Sequence, residues 1–147
     1  YDLKKQYDFK SIDIIKNYGD AIPLVSCEEG KIQQVFLNLL RNGAEAMQDA
    51  GASQPTFTLS TTYDEKQDMV SVIIEDNGPG INENTRKRIF EPFFTTKPVG
   101  VGTGLGLSVS FFIITENHNG EMTVESELSK GTTFFIRLPC KHNENKL

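Results

Sequence analysis

Cysteine, histidine and long apolar runs are scarce in this sequence, and each scarcity excludes something. Two cysteines, Cys27 and Cys140, in 147 residues cannot build a disulfide framework, so two ordinary thiols in a reducing compartment are expected. No apolar run approaches the roughly 20 residues of a bilayer-spanning helix, and no signal-peptide pattern opens the chain. A mean hydropathy of −0.35 fits a soluble globular chain. Basic residues are outnumbered: 15 Lys and Arg against 20 Asp and Glu leave a net charge of −5, which excludes a dominant basic footprint for nucleic acid. A nucleotide ligand stays open, because backbone amides and a cation make a phosphate site without net positive charge. What is present suffices for one domain, whose folding buries about 68–70% of the unfolded surface.

Apolar spacing predicts a helix over 28–48, with Ile32, Val35, Phe36, Leu39, Leu40 and Met47 along one stripe. Glu28 and Glu29 open it, where the helix dipole favours negative charge. Strands are predicted over 56–63 and 69–76, and over 121–126 and 132–138 around a Ser129-Lys130-Gly131 turn. Two shorter apolar pieces, 11–18 and 22–25, are expected to pair as antiparallel strands across Asn17-Tyr18-Gly19-Asp20. A short helix over 83–90 and a second long one over 105–116 complete an α/β sandwich with helices on one sheet face. Residues 1–11 are expected to be a linker or truncated first helix, 12–140 the domain, and 141–147 a polar tail.

Four stretches carry chemistry. Asn38 and Asn42 lie one turn apart on the long helix, roughly 40° around its axis, at the edge of the apolar stripe. Their amide oxygens suit Mg²⁺, a hard cation; alternatively they are polar residues tolerated at a helix edge. The run Val72-Ile73-Ile74-Glu75-Asp76-Asn77-Gly78-Pro79-Gly80-Ile81 takes a hydrophobic strand into a carboxylate and then breaks. Asp76 is either an acceptor for an exocyclic amine such as adenine's or the cap of a tight turn.

Gly100-Val101-Gly102-Thr103-Gly104-Leu105-Gly106-Leu107 is a glycine-rich loop opening a helix, a ready anion site, or else a flexible hinge. It fits neither the P-loop nor the dinucleotide-binding glycine pattern. Phe90-Glu91-Pro92-Phe93-Phe94-Thr95-Thr96-Lys97-Pro98 is an aromatic anchor under a segment able to close over ligand, with Lys97 as the nearest cation. The other reading is a small satellite core with a solvent-facing lysine.

In this order and spacing, the stretches resemble the catalytic ATP-binding domain of sensor histidine kinases, in the GHKL superfamily. Gln34 to Met47 resembles the N box, Asp76 to Ile81 the G1 box, Phe90 to Phe94 the F box and Gly102 to Leu107 the G2 box. Gly131-Thr132-Thr133-Phe134 resembles the last glycine-threonine element. The resemblance implies a Bergerat fold: a two-layer sandwich with a mixed, mostly antiparallel sheet, helices on one face, and a flexible ATP lid. It implies ATP and Mg²⁺ as ligands, with Asn42 and Asn38 toward the metal and Asp76 accepting from the adenine amino group. Gly78, Gly80 and Ile81 would allow close approach of the base, with Phe90 beside them and Thr132 assisting through water. Thr103, Gly104, Leu105, Gly106 and Leu107 would hold the phosphates, and Lys97 would approach the γ-phosphate; Arg41 is a weaker phosphate candidate.

The implied activity is transfer of the γ-phosphoryl group to a histidine on a separate dimerisation domain, with a response regulator downstream, in the cytoplasm. His118 and His142 are the only histidines, and neither sits in an acceptor-helix pattern, so the chain is expected to be a monomeric fragment of a longer kinase. Related ATPases carry a glutamate one turn before the metal-binding asparagine; here that position is Asn38, which favours transfer over hydrolysis. A GHKL-type ATPase and a non-catalytic ATP-binding module are the alternatives. One departure from the family pattern is Asn119-Gly120, where a glycine pair is common.

Overall fold

The computed structural model describes residues 11–96 and 106–141. Its elements in chain order are β1 (Asp13–Tyr18), α1 (Glu29–Asp49), β2 (Thr56–Asp64), β3 (Met69–Asp76) and α2 (Glu83–Arg88). Then come α3 (Gly106–Phe112), a π-helical turn (Ile113–Asn117), β4 (Glu121–Glu127) and β5 (Gly131–Pro139). The strands form one five-stranded sheet in the order β1-β2-β3-β5-β4. Only β1 and β2 run parallel; the other neighbours are antiparallel.

Alternation along the strands decides which face is covered. On β5, Phe134, Ile136 and Leu138 are buried; on β4, Met122 and Val124; on β3, Val70 and Ile74. These side chains meet Ile32, Val35, Leu39, Ala44 and Met47 of α1 and Ile113 and Ile114 of the π-helical turn in one hydrophobic core. The helices therefore share one sheet face, as expected. No helix among the described residues is long and apolar enough to cross a membrane.

Three expectations need correction. Residues 11–18 do not pair with 22–25: β1 lies parallel beside β2, with Ile14 opposite Phe57 and Tyr18 opposite Thr61, and 22–25 forms no strand. The amide of Gly19 donates to Thr61 O at 3.0 Å, so the turn residues extend pairing to β2 instead of reversing the chain, and Pro23 has no N–H to offer a ladder. The helix expected over 105–116 widens to π geometry at Ile113, which turns the consecutive Ile113 and Ile114 both into the core. The three phenylalanines of 90–94 do not act together. Phe90 stacks on Phe111 at 4.8 Å and meets Phe134 edge-on at 6.3 Å, Phe94 lies under the Arg88 guanidinium at 4.6 Å, and Phe93 is 73% exposed.

Asn119 adopts φ +54°, a left-handed conformation that asparagine tolerates better than most residues, so it serves where a glycine is common. Beside it, His118 is 3% exposed with both ring nitrogens bonded. Nε2 accepts from Glu28 N–H at 3.0 Å, and Nδ1 lies 2.8 Å from the Ile113 carbonyl, to which it donates. Glu28 contributes no side-chain cap to α1; a histidine 90 residues away satisfies its amide. This engagement makes His118 a structural residue. His118→Ala leaves a donor and an acceptor without partners and is expected to lower stability by about 1–3 kcal/mol, read as a shifted urea midpoint. His118→Gln, able to accept and donate, should recover part of the loss.

Candidate functional site

Asp76 is the next core-facing position of β3 after Val70, Val72 and Ile74, so the same alternation that builds the core drives a carboxylate into it. It is 8% exposed and stands opposite Phe57 of β2. Both of its hydrogen-bond partners among the described residues fall on one oxygen: Oδ1 accepts from Gly78 N–H at 2.9 Å and from Thr132 N–H at 3.2 Å. Among the described residues no donor meets Oδ2. Burial pushes the carboxyl pKa up from its ordinary value, the two amides pull it down, and the neighbouring Glu75 charge adds a smaller upward push.

Oδ2 faces α1 at Gly43, where a Cβ would stand 3.3 Å from it and 2.5 Å from Phe57 Cε1. The missing side chain lets helix and strand approach closely at the carboxylate. Gly80 has φ +73° and Gly131 φ +135°, conformations favoured by glycine. A Cβ on Gly80 would run into the Glu127 carbonyl, and one on Gly131 into the Asp76 carbonyl. The turn at 78–81 is strapped to the β4–β5 hairpin by Ser129 N–H to Pro79 O and by Ile81 N–H to Ser126 Oγ, both 2.8 Å. Gly78 and Thr132 thus bond Asp76 directly, while Gly80 and Ile81 belong to the turn strapped to the β4–β5 hairpin.

The second group of residues singled out in the sequence lies along α1. From Gly43 back to Asn38 is about 7.5 Å along a helix axis. Asn38 Nδ2 donates to Gly106 O at 3.3 Å and to Ser110 Oγ at 3.2 Å, tying α1 to the first turn of α3. This spends the amide N–H groups of Asn38 and leaves its Oδ1 available. A carboxylate at this position would have no N–H to give the Gly106 carbonyl. Asn42 is half-buried one turn later, and among the described residues its side chain makes no hydrogen bond. Gly106 and Leu107 open α3 on this side, and Phe90 supports α3 from below through Phe111. Lys97, Thr103, Gly104 and Leu105 lie outside the described residues.

Sequence reasoning missed Gly43, Ser110 and Ser126. Gly43 alone left a signal: a glycine inside a helix costs roughly 1 kcal/mol against alanine, which asks for a packing reason. Ser110 and Ser126 read as ordinary helix and strand residues.

Comparison with known proteins places this geometry. Residues 27–142 match the family described as histidine kinase-, DNA gyrase B- and HSP90-like ATPase. Among curated proteins, sporulation kinase E of Bacillus subtilis (strain 168) is 43% identical over 141 residues, 96% of this chain and 18% of that protein. Sporulation kinase A of the same organism is 41% identical over 139 residues, 95% of this chain and 22% of its own length. The chain therefore spans about a fifth of these relatives. Among solved structures, the catalytic domain of histidine kinase ThkA superposes with a TM-score of 0.73 at 31% identity, covering 88% of this chain and 81% of that one. Full-length ShkA in complex with AMPPNP gives a TM-score of 0.73 at 27% identity over 88% of this chain and 26% of the other.

Proposed function

Because this chain belongs to the histidine kinase-, DNA gyrase B- and HSP90-like ATPase family, as a catalytic domain of the sensor histidine kinase type, we propose that it binds Mg·ATP and transfers the γ-phosphoryl group to a histidine of a separate dimerisation domain. The carrying observation is the Asp76 carboxylate: buried, fixed through Oδ1, and offering Oδ2 beside a helix position that has no side chain. An exocyclic amine of adenine is the donor such an acceptor needs. ShkA, which shares the fold, was solved with AMPPNP, which supports a nucleotide in the corresponding cleft.

The donor set fits a hard cation. Asn42 is half-buried and, among the described residues, Asn38 keeps its Oδ1 unengaged while its N–H groups are bonded, so the amide oxygens of Asn42 and, beside it, Asn38 are the ligands we assign to Mg²⁺. When bound, Mg²⁺ neutralises phosphate charge. Phosphoryl transfer asks the protein for positioning and charge stabilisation more than for covalent chemistry. Asp76 orients the purine end, Asn38 anchors the start of α3 against α1, and we assign the Gly106 and Leu107 amides, which open α3, to the phosphate oxygens. Lys97 and the residues 103–105 would complete the phosphate grip from the lid. The incoming imidazole is itself a nucleophile near neutral pH, so no strong base is needed here. The response regulator downstream, the cytoplasmic placement and the monomeric state of this chain belong to the same proposal.

Asn38 also favours transfer over hydrolysis: an amide whose N–H groups are committed to Gly106 and Ser110 cannot activate water. The test incubates the chain with labelled ATP, Mg²⁺ and a dimerisation domain carrying a histidine. Acid-labile phosphate on that partner, with slow release of free phosphate, is expected. Asn42→Ala should abolish the Mg²⁺ dependence of ATP affinity and lower transfer by about 100-fold, the scale of one lost transition-state contact. Rapid ATP hydrolysis without the partner would replace this reading with that of an ATPase; normal binding without transfer would leave a nucleotide-binding module.

A further inference from the structure

Ser126 belongs to none of the four chemistry-bearing stretches, yet its hydroxyl joins the two arms that hold Asp76. Oγ accepts from Ile81 N–H at 2.8 Å, donates to Gly131 O at 2.9 Å and lies 3.0 Å from Thr132 Oγ1. A carbonyl only accepts, so the single Ser126 proton goes to Gly131 O, and Thr132 must be the donor in the hydroxyl pair. One donor and two lone pairs are then all used. The arm reached through Ile81 carries Gly78 N–H, and the arm reached through Gly131 and Thr132 carries Thr132 N–H. Those two amides are the partners of Asp76 Oδ1.

We infer that Ser126 is a positioning residue for the Asp76 carboxylate, setting the direction in which Oδ2 meets the base and so the preference for an amino-bearing over an oxo-bearing purine. This rests on the proposed role of Asp76 as the base acceptor. Because the Thr132 proton is spent on Ser126, Thr132 Oγ1 offers ligand only lone pairs. Both side-chain groups at this end of the cleft accept, which suits an exocyclic amino group and repels a carbonyl oxygen. The backbone strap from Ser129 N–H to Pro79 O does not involve the Ser126 side chain, so the hairpin stays attached to the turn when the hydroxyl is removed.

The experiment measures ATP and GTP affinity by competition against a fluorescent ATP analogue, in Mg²⁺, for the chain and for Ser126→Ala, Ser126→Thr and Asp76→Asn, with a melting curve for each. Ser126→Ala is expected to weaken ATP about tenfold, equivalent to about 1.4 kcal/mol, and to leave GTP within about twofold, so that the preference collapses; a tenfold effect is the scale of a hydrogen bond to a charged group losing its alignment. Ser126→Thr, which keeps the hydroxyl, should restore it. Equal losses for both nucleotides, or an unchanged preference, would overturn the inference. If Asp76→Asn does not weaken ATP, the underlying reading of Asp76 fails; if it does while Ser126→Ala keeps the preference, only the role of Ser126 fails. Should Ser126→Ala not fold, Ser126→Cys, with similar volume and a weak donor, carries the same comparison.

Discussion

Asp76→Asn is expected to leave the chain folded and to remove most of its affinity for ATP. The substitution keeps an acceptor for the Gly78 and Thr132 amides but turns an N–H pair toward Gly43, where Oδ2 stood. A donor would then face the donor of the adenine amino group. Losing one hydrogen bond to a charged group costs about 1.5–3 kcal/mol, which is roughly 10–100-fold in affinity, and the new repulsion adds to it. Stability should move the other way. Burial raises the folded-state pKa of Asp76 above its ordinary value of 3.8. Between those two values the folded chain holds more protons than the unfolded one, so stability falls as pH rises. The contribution is complete below the unfolded value and lost as pH climbs through the folded one. At neutral pH the carboxylate is therefore a cost of folding, and nucleotide-free Asp76→Asn should match or exceed the parent in urea midpoint. The parent's ATP affinity should fall on acidification through the raised pKa of Asp76, a component the variant lacks. An Asp76→Asn protein that binds ATP as the parent does would remove the base acceptor from this site.

Much of this arrangement was legible in the chain. The alternation Val70, Val72, Ile74, Asp76 already puts a carboxylate in a core-facing position, and the break at Gly78-Pro79-Gly80 shows that the backbone turns there. The four strands from β2 to β5 carried their own period and turn residues, and so did α1. What stayed hidden depends on distant partners. β1 has its six residues exposed, so its pattern could not choose between a hairpin with the next segment and a parallel place beside β2. The cap of α1 comes from His118, far along the chain, and local sequence cannot announce it. The π-helical turn follows from the joint demands of Ile113, Ile114 and His118 rather than from helix propensity. In the site, residues that touch ligand have unusual neighbours and stood out, whereas Ser126 and Ser110 act through other groups and did not.

Gly43→Ala separates the two roles of α1, as a helix and as a wall of the cleft. In an isolated helix this change would stabilise by up to about 1 kcal/mol. Here the new methyl would lie 2.5 Å and 2.8 Å from Phe57 Cε1 and Cζ and 3.3 Å from Asp76 Oδ2. Phe57 is 2% exposed and sits in the core with Met47 and Leu39, so its ring has no free space to enter. Overpacking of this kind costs about 1–3 kcal/mol and outweighs the helix gain. Either α1 lifts from β2 and takes away the wall that faces Oδ2, or the ring tips toward the carboxylate and crowds it; both disturb the acceptor site. The variant should therefore lose stability and ATP affinity together, whereas Asp76→Asn loses affinity alone. Adding Phe57→Leu to Gly43→Ala removes the ring atoms the methyl strikes and should recover part of the urea midpoint. The remaining contact with Oδ2 predicts that ATP affinity recovers less. A Gly43→Ala protein more stable than its parent would show that α1 does not approach β2 at this point, and the cleft beside Asp76 would have to be bounded by something else.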